Sequence, residues 1–168
     1  MKPRVITLEK TVLLGFSYYG EPFGDGWTEE NQIGQLWKRF MAFWQEQGKD
    51  LPGLSPQYWY EVHTASPETR QLGYYDVFVG VAAESAEGLP PNALYKVLPA
   101  GEYALFTLVG DIITSDWGRP MNEVWLPAAG LAERWPICIE RYDERFKGMD
   151  RVSESELDIL VPVVRLDA

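Results

Sequence analysis

The chain has one cysteine, Cys138, and one histidine, His63, among its 168 residues. A single thiol closes no internal disulfide. One thiol and one imidazole fall short of the three or four N/S ligands of a zinc site, so no metal site is signalled. Basic residues are also scarce: 15 Lys and Arg stand against 25 Asp and Glu, a formal charge of −10. Proteins that bind nucleic acid directly need a basic stripe to release counterions from phosphates, and none is legible here. Long hydrophobic runs are missing too. Thr11 to Phe16 and Leu157 to Val164 fall far short of the ~20 residues of a membrane helix. The start, Met1-Lys2-Pro3-Arg4-Val5, lacks the apolar segment of a signal peptide. These absences lead us to expect a cytoplasmic protein with no membrane or direct nucleic-acid contact. At this length a single domain, 1–168, suffices.

What the chain has in excess is aromatic residues: 7 Trp, 9 Tyr and 7 Phe, 14 % of the total. A buried indole N–H or phenol O–H needs a partner, so these are awkward core fillers, and their number points to an aromatic binding site. The acidic field favours cationic or neutral ligands.

Local patterns divide the chain into two similar halves. Arg4 to Tyr19 reads as one long strand or two, rich in β-formers and ending at Gly20. Glu21 to Trp27 is a loop, and Gly24-Asp25-Gly26 in it lacks the lysine and strand-to-helix context of a phosphate loop. Thr28 is an expected N-cap with Glu29 and Glu30 in the first turn, and Ile33, Leu36, Trp37, Phe40 and Trp44 then recur on one helical face up to Gly48. Leu51 to Pro56 reads as a loop, Tyr58 to His63 and Tyr74 to Ala82 as antiparallel strands, and Glu84 to Asn92 as a linker. In the second half, Tyr95 to Leu98 and Gly101 to Val109 are strand-like. A helix is expected from about Pro120 to Leu126, then strands at Trp135 to Tyr142 and Glu156 to Leu166. Each half reads strand, helix, strand, strand. The expected architecture is therefore α+β: tandem pseudo-two-fold modules, about 1–83 and 94–168, forming an antiparallel sheet with helices and a central ligand cleft.

An ordered series of segments carries a family resemblance. Leu98-Pro99-Ala100-Gly101-Glu102-Tyr103-Ala104-Leu105-Phe106, Gly110, Glu123-Val124-Trp125-Leu126-Pro127, Pro136-Ile137-Cys138-Ile139-Glu140-Arg141-Tyr142 and Asp158-Ile159-Leu160-Val161-Pro162-Val163 resemble the GyrI-like small-molecule-binding domains. These serve as effector-binding modules of AraC-type and MerR-type activators. The first half agrees more loosely, through Leu36-Trp37 and Tyr74-Tyr75-Asp76-Val77-Phe78-Val79-Gly80-Val81. The resemblance implies a duplicated strand-helix-strand-strand (SHS2) fold and an aromatic cleft with one acidic residue at its floor, matched by Glu140. No cofactor is implied. With no helix-turn-helix ahead of the first strand, the chain looks like a stand-alone member.

Strand period puts Cys138, Glu140 and Tyr142 on one face, so Glu140 reads as partly buried, able to select cations or to act as a general acid or base. The plainer alternative is an edge glutamate paired in solvent with Arg141 or Arg145. Trp37, Phe40, Trp44, Tyr18, Tyr75, Phe78 and Tyr103 are the candidate aromatic lining, although a helical stripe such as Trp37-Phe40-Trp44 is more often core. His63, beside a turn, reads as a surface residue, Cys138 as a small buried hydrophobe, and Asp143 and Glu144 beside Arg141 and Arg145 as a solvated charge cluster. Three functions follow. The first is a binding protein for lipophilic aromatic compounds, neutral or cationic. The second is a hydrolase of electrophilic cyclopropane-bearing natural products, in which Glu140 activates water and Tyr103 or Tyr142 donates to the developing anion. The third is a gyrase inhibitor acting by protein contact. The partners expected are a small lipophilic ligand and, behind it, gyrase or a transcription factor.

Overall fold

The computed structural model describes residues 1–22, 31–85, 87, 90 and 92–166. The readings of Gly24-Asp25-Gly26, Thr28, Glu29 and Glu30, and of Gly88 and Pro91 in the linker, lie outside these. The chain forms two compact units. One is Lys10–Pro99, and the other joins Met1–Glu9 to Ala100–Ala168. All pairings described within them are antiparallel, and the fold is mixed α+β.

In the unit of residues 10–99 the strands are β2 (Thr11–Gly20), β3 (Leu54–Ala65), β4 (Tyr75–Ala83) and β5 (Leu94–Leu98), in the order β3-β4-β2-β5. Helix α1 (Gln32–Glu46) buries Ile33, Leu36, Phe40 and Phe43 against Leu14, Phe16, Val77, Val79 and Val81. Of the stripe the helical period predicts, Ile33, Leu36 and Phe40 are buried and Trp37 and Trp44 half-buried, while Phe43, outside that stripe, is buried as well. The helix cap is Asn31, whose side chain accepts from the Gly34 N–H at 2.8 Å. At the far end Gln47 caps the helix, and Gly48 opens a 3₁₀ turn instead of supplying a left-handed stop. A Cβ there would meet the Trp44 ring at 2.8 Å, so Gly48 is required by close packing. A short helix α2 (Thr69–Leu72) joins β3 to β4 and ends at Gly73. β3 begins at Leu54, inside the stretch expected to be a loop. It accommodates Pro56 in a register shift between Ser55 and Trp59, as prolines in sheets require.

In the other unit β1 (Arg4–Leu8), β6 (Gly101–Val109), β9 (Glu156–Arg165) and β8 (Ile137–Tyr142) lie in the order β1-β6-β9-β8. A short strand β7 (Leu131–Glu133), not legible in the sequence, pairs with the end of β9. The helical segment α3 covers 118–128 and contains a π turn at Met121–Trp125. It passes beyond Leu126 and takes in Pro127, which follows directly on the π turn. Trp117, Met121 and Leu126 pack on Phe106, Leu108, Ile159 and Val161. β1 and β5 are exchanged relative to chain order: β1 pairs with β6, and β5 with β2.

Candidate functional site

Each unit holds a strand glutamate removed from water, on the face its helix covers. In β3, Glu61 is 1 % exposed and pairs across β4 with Val79, which pairs with Phe16 of β2. In β8, Glu140 is 2 % exposed and pairs across β9 with Ile159, which pairs with Phe106 of β6. A carboxylate costs several kcal/mol to bury unless hydrogen-bonded, so its donors define the chemistry available.

Glu140 Oε2 accepts the Tyr142 hydroxyl at 2.5 Å. The Tyr142 ring stands edge-to-face on Phe146, with centroids 4.8 Å apart. Cys138 and Tyr142 pack half-buried against the same core. Arg141 and Arg145 meet Asp158 Oδ2 at 2.9 and 2.8 Å, Arg145 also grips Asp143 at 2.8 Å, and Thr107 donates to Asp158 Oδ1 at 2.7 Å. The solvated cluster expected at 141–145 is thus a network anchored on Asp158, which is 4 % exposed. Burial pushes the Asp158 carboxyl up, but its hydrogen bonds from Arg141, Thr107 and Arg145 outweigh this and hold it below the ordinary carboxylate value. Hydrogen bonding from Arg145 does the same for Asp143.

Glu61 is held by two groups. The indole Nε1–H of Trp37, from α1, donates to Oε2 at 2.5 Å, and His63 Nε2 lies 2.7 Å from Oε1. His63 is 6 % exposed, which corrects its reading as a surface residue. β3 continues to Ala65, so His63 lies inside a paired strand opposite Val77, with its ring 6.1 Å from that of Tyr75. Glu61 was not singled out from the sequence. The signal was present: Glu61-Val62-His63 and Glu140-Arg141-Tyr142 each put a hydrogen-bonding side chain two residues after a strand glutamate.

The other candidate aromatics fall into two groups. Phe40, Phe78 and Tyr103 are at most 2 % exposed, with Phe40 in the helix-facing core. Burial raises the Tyr103 phenol above its ordinary value, against an opposing effect of Arg134. Trp37, Trp44, Tyr18 and Tyr75 are half-buried and rim the core of residues 10–99. Trp44 stands on Trp59 at 5.0 Å, and Tyr18 donates to the Glu21 carbonyl at 3.2 Å. What such arrangements can do follows from elementary chemistry. A dry carboxylate with a phenol donor attracts a cation, or takes a proton from water held beside it.

The family model for the GyrI-like small molecule binding domain matches residues 1–164. No curated protein matches the sequence. Among solved structures, the EcmrR C-terminal domain superposes with a TM-score of 0.68 at 15 % identity, over 98 % of each chain. SAV2435 bound to tetraphenylphosphonium gives 0.65 at 13 % identity, over 98 % of this chain and 94 % of its own. A hydrolase from Listeria innocua gives 0.55 at 13 % identity, over 97 % and 92 %.

Proposed function

The chain belongs to the GyrI-like small molecule binding domain family, and we propose that it binds lipophilic aromatic compounds, cations above all, with Glu140 supplying the charge. The observation that carries this reading is a strand carboxylate 2 % exposed that a phenol donor orients. A lipophilic cation that sheds its own water recovers attraction beside such a carboxylate. Half-buried rings add ~0.5 to 2 kcal/mol each by stacking or cation–π contact. The fold shared with SAV2435, a protein bound to a phosphonium cation, supports the same class of ligand.

The test is tryptophan quenching by tetraphenylphosphonium and by neutral triphenylphosphine oxide, on wild type and Glu140→Gln. The substitution is expected to weaken the cation about tenfold or more, equivalent to ~1.4 kcal/mol, and the neutral compound hardly at all. Equal losses for both would sink the electrostatic role of Glu140.

A second reading, hydrolysis, draws on the same Tyr142–Glu140 pair and on the fold shared with the Listeria innocua hydrolase. Glu140 would take a proton from water as the water oxygen bonds to a strained electrophilic carbon; the cyclopropane C–C bond at that carbon breaks, and the carbon that keeps its electron pair takes the proton back from Glu140. Under this reading Glu140→Gln abolishes consumption of a cyclopropane electrophile and leaves its binding intact.

A further inference from the structure

In both units the buried glutamate accepts from the polar tip of an aromatic side chain: Tyr142 for Glu140, Trp37 for Glu61. Trp44, one of the aromatics on the same helix, is packed ring against ring on Trp59. Trp37 already has the Phe40 ring against it at 6.2 Å and 71°, yet its indole N–H is tied to a carboxylate that is itself costly to bury. A tryptophan side chain turns about two bonds, and a ring contact together with a hydrogen bond at the tip defines both. Glu61 is rigid in turn, set by strand register opposite Val79 and by His63 at 2.7 Å. The half-buried indole is therefore held at a fixed angle.

We infer that Glu61 is a positioning residue, which with His63 locks Trp37 as a preformed stacking plate for planar aromatic ligands. This rests on the aromatic-ligand reading above and deepens it. Rigid aromatic surface binds with little ordering cost, so locking the plate favours flat rings over aliphatic ligands of like charge.

The test has a ligand-free arm and a binding arm. Indole N–H exchange of Trp37, assigned by its loss in Trp37→Phe, is followed by ¹H–¹⁵N NMR in wild type, Glu61→Gln and Glu61→Leu. Binding of N-methylacridinium is compared with that of tetrabutylammonium. Glu61→Gln retains an acceptor oxygen and should keep both slow exchange and acridinium affinity. Glu61→Leu should speed exchange and weaken acridinium by about tenfold each while leaving tetrabutylammonium unaffected. Trp37→Phe removes the donor without altering the buried strand, so it should reproduce the acridinium loss even if Glu61→Leu folds poorly. Wild-type acridinium binding that survives Trp37→Phe, or exchange unchanged in Glu61→Leu, overturns this inference and leaves the ligand reading standing. A wild type that binds neither cation overturns the ligand reading and this inference with it.

Discussion

Set side by side, the two units share one cross-strand row and differ in the rows beside it. Phe16–Val79–Glu61 in residues 10–99 corresponds to Phe106–Ile159–Glu140 in the other unit. One step along, Gly15–Gly80–Tyr60 corresponds to Leu105–Leu160–Ile139. One step the other way, Ser17–Phe78–Val62 corresponds to Thr107–Asp158–Arg141. The conserved geometry is the helix-facing row that ends in a carboxylate. The flanking rows face away from it, and there each unit is stabilised by different means. One has strands in close approach at paired glycines beneath Phe78, while the other has branched aliphatics and an ionic network. A duplicated fold constrains its shared row and leaves the opposite face of each strand free to take other chemistry.

The comparison breaks most sharply at the glycines. Even a Cβ on Gly15 would lie 1.8 Å from the Val79 carbonyl oxygen. Gly15→Leu, which writes the residue of one unit into the other, is therefore expected to destabilise by more than about 3 kcal/mol, the upper end of ordinary overpacking. A urea midpoint within error of wild type would show that β2 can shift away. Next in size is Asp158→Asn, expected to lose about 2 kcal/mol through weakened hydrogen bonds to charged donors. Its pH signature is specific. The folded-state value of Asp158 lies below its ordinary 3.8, so its stabilisation is complete above that pH and is lost as pH falls through the folded value. The variant should flatten the acid limb of stability. An acid limb identical to that of wild type would remove Asp158 from the account. The smallest effect belongs to the unit without this network: Asn31→Ala removes the α1 cap and should cost about 1 kcal/mol, read as a shift in thermal midpoint.

Much of this was legible in the chain before any fold was considered. The stripe Ile33, Leu36, Phe40 on α1 and the strand Gly101–Val109 emerge from period alone, because each pattern is local. Element boundaries were less legible where a residue's local preference was overridden. Pro56 sits within β3 at a register shift, and Pro127 within α3 after a π turn. Of the candidate site, the strand face shared by Cys138, Glu140 and Tyr142 was readable from spacing. That Arg141 and Arg145 turn to Asp158, 17 and 13 residues away, was not.

By itself, the sequence determined the α+β class, the repeated order of elements, the lack of a disulfide framework and the aromatic richness, since these depend on composition and on periods of two and 3.6. Only the tertiary structure decided that β1 and β5 change places, that His63 is interior, and that Glu61 meets an indole 24 residues earlier. The physical reason is common to all three. Strand register and helix docking bring together groups distant in the chain, and a buried carboxylate then takes whatever donor that packing presents.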